Sequence, residues 1–272
     1  MESSHEADQV FDSIAGLPAA IGVSASAFLL FALQWTAVGL GVLAVSVAVA
    51  WMISRPLGQD MLLVGAGLAI VASTSVKADI SWPRFFTIGI VLALAVAMPF
   101  VIDRFVYQRD VLRFPWRGGH AWTAWQKGYL LLVPLLAFLI LPFYFIRSGA
   151  YENWPVINEP SEYARFFVAV NAVGTWDELF FVCICFVLFR RHFPMWLANL
   201  LQAVIFVSFL WELGYQRWGP LLTFPFALLQ GYIFTKTRSL TYVVIVHLIF
   251  DAVVFLAIVH AHDRGFFPFF LY

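Results

Sequence analysis

Two adjacent carboxylates, Asp177 and Glu178, sit in the middle of an apolar run that extends from about Tyr163 to Phe189. A run of that length can cross a bilayer, which takes ~20 residues. Glu178 lies 12 residues before Arg190, roughly 18 Å at a helical rise of 1.5 Å per residue, so both acids fall near the bilayer midplane. A central Asp costs on the order of 2.5–3.5 kcal/mol on an insertion scale, so two in a row require partners, protonation or water. Acids at that depth mark a functional site, the bland alternative being a polar clamp between helices. Asn171, Thr175 and Glu178 are spaced i, i+4, i+7 and form one polar stripe toward a common neighbour. Asp177 is turned about 100° from Glu178 around the helix, so the two share a site only across a broad cavity.

Partners for these acids come from the later spans: Ser208, Glu212, Gln230, His247 and Asp251. His247 and Asp251 are again i, i+4, on one face of the last span, roughly 12 and 18 Å by rise from the Arg238 side. A histidine and carboxylates at a common depth suit general acid/base chemistry on water, or a metal. Gln202 and Gln230 also read as helix-to-helix hydrogen bonders. His260 and His262 read as interfacial, and His192 as part of a basic loop end. Other hydrolase patterns fail: there is no HExxH helix, Gly22-Val-Ser-Ala25 is a fragment of a serine motif without a partnering His, and no Gly-rich phosphate loop occurs.

The elements that must position these groups are membrane spans. With 62% hydrophobic and 12% charged residues and a mean hydropathy of +0.86, the 272 residues read as one all-α, polytopic transmembrane bundle, residues 1–272, without repeat, linker or second domain. Zero formal net charge supplies no electrostatic basis for nucleic-acid binding. Cys183 and Cys185 read as small buried hydrophobes, and the acidic N-terminus lacks the basic region of a signal peptide. Leu17–Ile53 is read as one span, with Gln34-Trp35-Thr36 as a candidate break. Met61–Ser75, Phe85–Ile102, Tyr129–Ile146, the acid-bearing run, Pro194–Leu210, Leu221–Phe234 and Thr241–Val259 bring the count to about eight, or nine if the first segment divides. The loop Asp103–Lys127, Arg190–His192 and Lys236–Arg238 are basic and read as cytoplasmic; Gly149–Glu162 carries only acids and faces away. On that arrangement ten Lys/Arg lie inside against six outside, which agrees with the positive-inside rule.

The chain resembles the CAAX protease and bacteriocin-processing family of glutamic-type intramembrane peptidases. Asp177-Glu178-Leu-Phe-Phe-Val182 is similar to that family's Glu-Glu-x-x-x-Arg motif. Gly231-Tyr-Ile-Phe-Thr-Lys-Thr-Arg-Ser-Leu240 followed by His247-Leu-Ile-Phe-Asp251 is similar to its last motif, HxxxN or HxxxD after a helix end rich in Gly, Arg, Thr, Ser and Leu. The resemblance covers about Phe166 to His260, within a family-like core of 163–262, and the spans before it carry no motif of it. Asp177 replaces the first Glu and Val182 the Arg; the middle Phe-x-x-x-His is absent, since Phe206 leads to Leu210 and Phe209 to Leu213. Glu212 is the nearest polar candidate there. The resemblance implies that Asp177 takes the water-activating role and that His247 with Asp251 stabilises the oxyanion.

Three functions are consistent with these residues. The first is a CAAX-protease-like peptidase in which Asp177 and Glu178 activate water, Glu212 assists, His247 and Asp251 polarise the scissile carbonyl, and Asn171, Thr175, Ser208 and Gln230 line the cavity. The second is an inactive family member that binds or regulates a membrane partner. The third is a proton- or cation-coupled transporter, against which the lack of a repeat or broken helix counts. The expected substrate is a membrane-associated peptide or protein in the lipid bilayer, at the cell membrane; no cofactor is required, although the carboxylate–histidine set is compatible with a divalent metal.

Overall fold

In hydrocarbon each backbone N–H and C=O must find its partner within the same segment, which leaves helices as the solution for a chain of this composition. The computed structural model describes residues 2–118 and 121–270; Gly119 and His120 of the basic loop lie outside them. The described residues form α1 (Glu2–Ala27), α2 (Thr36–Ile53), α3 (Arg55–Val71), α4 (Trp82–Val101), α5 (Ala124–Ser148), α6 (Pro160–Asp177), α7 (Val187–Arg190), α8 (Met195–Leu213), α9 (Pro220–Thr237) and α10 (Leu240–His262). π-helical turns extend α1 over Phe28–Ala32 and α4 over Ile102–Val106, and a longer one, Glu178–Phe186, joins α6 to α7. Among the described residues seven helical segments are long and apolar enough to cross a membrane. The protein is an all-α integral membrane protein, with a span count near the expected eight.

The first apolar run corrects the one-span reading of Leu17–Ile53: it divides into α1 and α2. The chain reverses at Leu33–Trp35, where Gln34 takes φ 57°, a left-handed conformation no helix tolerates. The candidate break at Gln34-Trp35-Thr36 is thus the real one.

Hydrogen bonds define two ends of the bundle. At the basic end, Asp60 of α3 is wholly buried and binds Arg109 at 2.9 Å, Arg191 at 2.7 Å and His192 at 2.7 Å. Arg109 also binds Asp103 at 2.8 Å, whose other oxygen accepts from the backbone of Val111 and Leu112. The same end carries the bond from the Leu240 amide to the Pro115 carbonyl. At the far end, Asn153 donates to the Gly214 carbonyl, Tyr144 to that of Gln216 and Arg165 to that of Ile80. The core between them is aromatic: Trp176 stacks on Phe180 at 5.0 Å and Phe181 on Phe206 at 4.6 Å. Cys183 and Cys185 are buried and free, as their apolar surroundings suggested.

Asp60 has no counterpart in the sequence reading, and its role can be measured. Removing the carboxylate takes the buried acidic partner from Arg191 and His192 and leaves Arg109 with Asp103. Asp60→Asn should lower stability by about 3 kcal/mol, the low end for breaking a buried pair, because Arg191 keeps some water. Thermal unfolding of the purified variant in detergent measures this; an unchanged midpoint would show the cluster to be dispensable.

Candidate functional site

The site forms where α6 turns π-helical. Asp177 is the last α-helical residue and Glu178 the first of the π turn. Wide turns of this kind recur at functional sites. α10 comes unusually close because residue 174 is Gly: a Cβ there would overlap the Asp251 carboxylate and press on His247. The Asp177, Glu178, His247 and Asp251 side chains are all buried.

His247 links both acids. Its Nδ1 lies 2.7 Å from Glu178 Oε1, while Nε2 lies 3.6 Å from Asp177 Oδ2 and 3.9 Å from Asp251 Oδ1. Only the first is a hydrogen bond; the other two are charge contacts. Gln230 Nε2 donates to the same Glu178 oxygen at 2.6 Å and to the Val243 carbonyl at 3.1 Å. A backbone carbonyl can only accept, which fixes the amide's orientation and makes it a donor to Glu178 as well. The ring of His247 is held between Phe226, edge-on at 5.0 Å, and Phe206 at 6.1 Å. Asp177 Oδ1, Glu178 Oε2 and Asp251 Oδ2 have no protein hydrogen-bond partner.

A cavity of about 450 Å³ opens beside these groups. Asp177, His247, Asp251 and Gly174 form part of its wall, and apolar side chains such as Leu92, Phe209 and Phe226 form most of the rest. Glu178 and Gln230 do not line it. Among the described residues no group of three or more His, Cys, Asp or Glu side chains is arranged to hold a metal ion.

Five of the nine residues singled out in the sequence come together here: Asp177, Glu178, His247, Asp251 and Gln230. Gln230, expected on the cavity wall, stands behind it on Glu178, and the other four lie apart from the site. Glu212 accepts from Ser75 Oγ at 2.9 Å and from the Val76 amide at 3.1 Å, so it anchors the α3–α4 connection at the far end. Ser208, Asn171 and Thr175 donate to carbonyls of their own helices, at Val204, Phe167 and Asn171, and none lines the cavity. In an apolar surrounding such short polar side chains satisfy themselves one turn back. The face of α6 turned to the cavity is instead Val170, Val173, Gly174 and Asp177. Gly174 and the two clamping Phe rings carried no signal of their own in the sequence.

A family model described as Type II CAAX prenyl endopeptidase Rce1-like matches residues 159–253. The match takes in Asp177, Glu178, Gln230, His247 and Asp251, and leaves out α1–α5. It bears out the resemblance read from the two motifs. No curated protein and no solved structure is matched.

Gly174→Ala tests the close approach. The added methyl has no room beside Asp251, so the variant should lose about 1–3 kcal/mol, the usual cost of overpacking. Ala172→Val, at an exposed cavity-lining position, should change stability by no more than about 0.5 kcal/mol. Unfolding midpoints of the two variants make the comparison; equal values would mean that α6 and α10 can separate freely.

Proposed function

We propose that the protein is an intramembrane peptidase that hydrolyses an amide bond of a membrane-associated polypeptide at the cavity wall, in the cell membrane. The observation that carries this is the single imidazole held between two consecutive acids, with Nδ1 on Glu178 and Nε2 toward Asp177 and the cavity. The match over 159–253 supports the same reading.

Asp177 is the base. Its unpartnered Oδ1 is available to a water in the cavity. As the water oxygen attacks the scissile carbonyl carbon, its proton passes to Asp177 and the carbonyl π pair moves onto oxygen. His247 Nε2–H donates to that oxyanion. When the intermediate collapses, the C–N bond breaks and Asp177 returns the proton to the leaving nitrogen. Glu178 acts through His247: a buried Glu178–His247 pair that is neutral overall leaves no isolated charge in the bilayer and leaves a hydrogen on Nε2. Gln230 holds the Glu178 oxygen in place for this. Asp251, 3.9 Å from Nε2, adds a second carboxylate that can orient the water. Water supplies both hydrogens of the products in this scheme, Asp177 relays one of them, and no cofactor is needed to balance it.

One observation favours the second reading, an inactive member that binds a membrane partner. α8 turns Phe206, Phe209 and Leu210 toward the site and contributes no polar group to it. The variants separate the two readings. Asp177→Asn should lower the rate of cleavage of a membrane polypeptide by ~10²–10⁴-fold, and His247→Ala by ~10²–10³-fold. Glu178→Gln should lower kcat with KM unchanged, because an amide on Nδ1 no longer secures the hydrogen on Nε2. Glu212→Gln should leave both constants alone. Proteolysis by the reconstituted protein measures all four. A wild type without activity, whose partner binding survives every substitution, would leave the binding role standing.

A further inference from the structure

The cavity is built almost wholly in one half of the bundle. Its wall includes Lys77 and Ile80 from the α3–α4 connection, Trp154 before α6, Tyr215 after α8 and Leu221 at the start of α9. All of these belong to the end defined by the Asn153–Gly214 and Tyr144–Gln216 hydrogen bonds. Among the described residues, none of the basic connections 107–118, 121–123, 191–194 or 238–239 touches it. Tyr129 is the one wall residue near the basic end of its helix. On its basic side the site is backed by buried side chains: Glu178, Phe180 through Phe186, Leu240 and Val243.

The charge distribution says which end this is. Arg104, Arg113, Arg117, Lys127, Arg190 and Lys236 cluster at the basic end, and the positive-inside rule assigns that end to the cytoplasm. The open half then faces away from it. Its wall also reaches the side of the bundle: Gly89, Ala172, Leu221, Pro225 and Leu229 line the cavity and are exposed. With no membrane helix over them, these positions meet lipid in the outer half of the bilayer.

We infer that the site takes its substrate from the non-cytoplasmic side, as an apolar polypeptide segment entering through the outer leaflet. This rests on the peptidase reading for what is done to the segment, and on the bundle alone for where it enters. The wall suits such a ligand. It is apolar along most of its length, as pockets for apolar ligands are, with Lys77 and Asp79 at the mouth and Asp177, His247 and Asp251 at the floor where an amide would react. A water-soluble peptide would bury its polar side chains without partners along the same path.

Accessibility can be measured without activity. Ala169→Cys and Val173→Cys place thiols on the cavity wall, the second one turn above Asp177, and Arg113→Cys places one on the basic loop. The native Cys183 and Cys185 are fully buried and stay silent. A membrane-impermeant maleimide should modify both wall thiols faster from outside right-side-out vesicles than from inside-out vesicles by about an order of magnitude, since thiol reactivity follows access. Arg113→Cys should show the opposite preference. Faster wall labelling from the cytoplasmic side, or none from either, overturns the inference. A lysine-flanked leucine–alanine peptide incorporated in the vesicles should slow Val173→Cys labelling, and palmitate should not; the reverse result overturns the polypeptide assignment. Cleavage of a reporter polypeptide by the parent protein in the same vesicles is scored separately. Its absence rejects the peptidase reading while the labelling still decides the side of entry.

Discussion

The hydrogen bond between His247 Nδ1 and Glu178 Oε1, 2.7 Å long and sealed from solvent, is the interaction on which the functional half of the bundle depends. A carboxylate at that depth is tolerable only beside a group that balances it. The requirement propagates outward. α10 must lie against α6, so residue 174 can have no side chain. α9 must supply Gln230 at the same level, and its second bond, to the Val243 carbonyl, ties the amide to α10 one turn before the histidine. Phe206 and Phe226 then leave the imidazole little freedom to turn. Three helices and the π turn are therefore positioned by one proton shared between two side chains.

The π turn resolves a conflict that a regular helix would leave. Neighbouring residues on an α-helix diverge by about 100°, yet Asp177 and Glu178 both serve one imidazole. They do so because they approach it from different sides: Glu178 reaches Nδ1 from behind the cavity wall, and Asp177 faces Nε2 on the wall itself. Divergence is thereby converted into a division of labour. One acid orients the ring and the other meets water.

The two ends of the bundle solve opposite problems. At the basic end Asp60, Asp103, Arg109, Arg191 and His192 form a connected ionic cluster, whose Asp60 shows no surface. It joins α3, the α4–α5 loop and the α7–α8 turn. The far end is held by side chain to backbone bonds, with Glu212 fastening the α3–α4 connection through Ser75 and Val76. Fastening the loops at the rim lets the space beneath them stay open without the helices collapsing into it.

Much of this was legible in the residues themselves, and the reason is geometric. Depth along a helix is local: a fixed rise per residue places Asp177, Glu178, His247 and Asp251 at one level without knowledge of any neighbour. Composition and the basic loops likewise determined the class, the helical fold and the two ends. Rotation about the helix axis is set by packing against neighbours, so the stripe Asn171–Thr175–Glu178 was read toward the cavity when Val170, Val173 and Gly174 face it. Glu212 was the nearest polar candidate on its helix, and only packing against the α3–α4 connection shows that its carboxylate is already taken. Asp60 drew no notice because its partners lie far along the chain, at Arg109 and Arg191. Sequence alone determined which groups stand at the same level in the membrane; tertiary structure decided which of them touch, because contact depends on helix rotation and on neighbours brought together from distant parts of the chain.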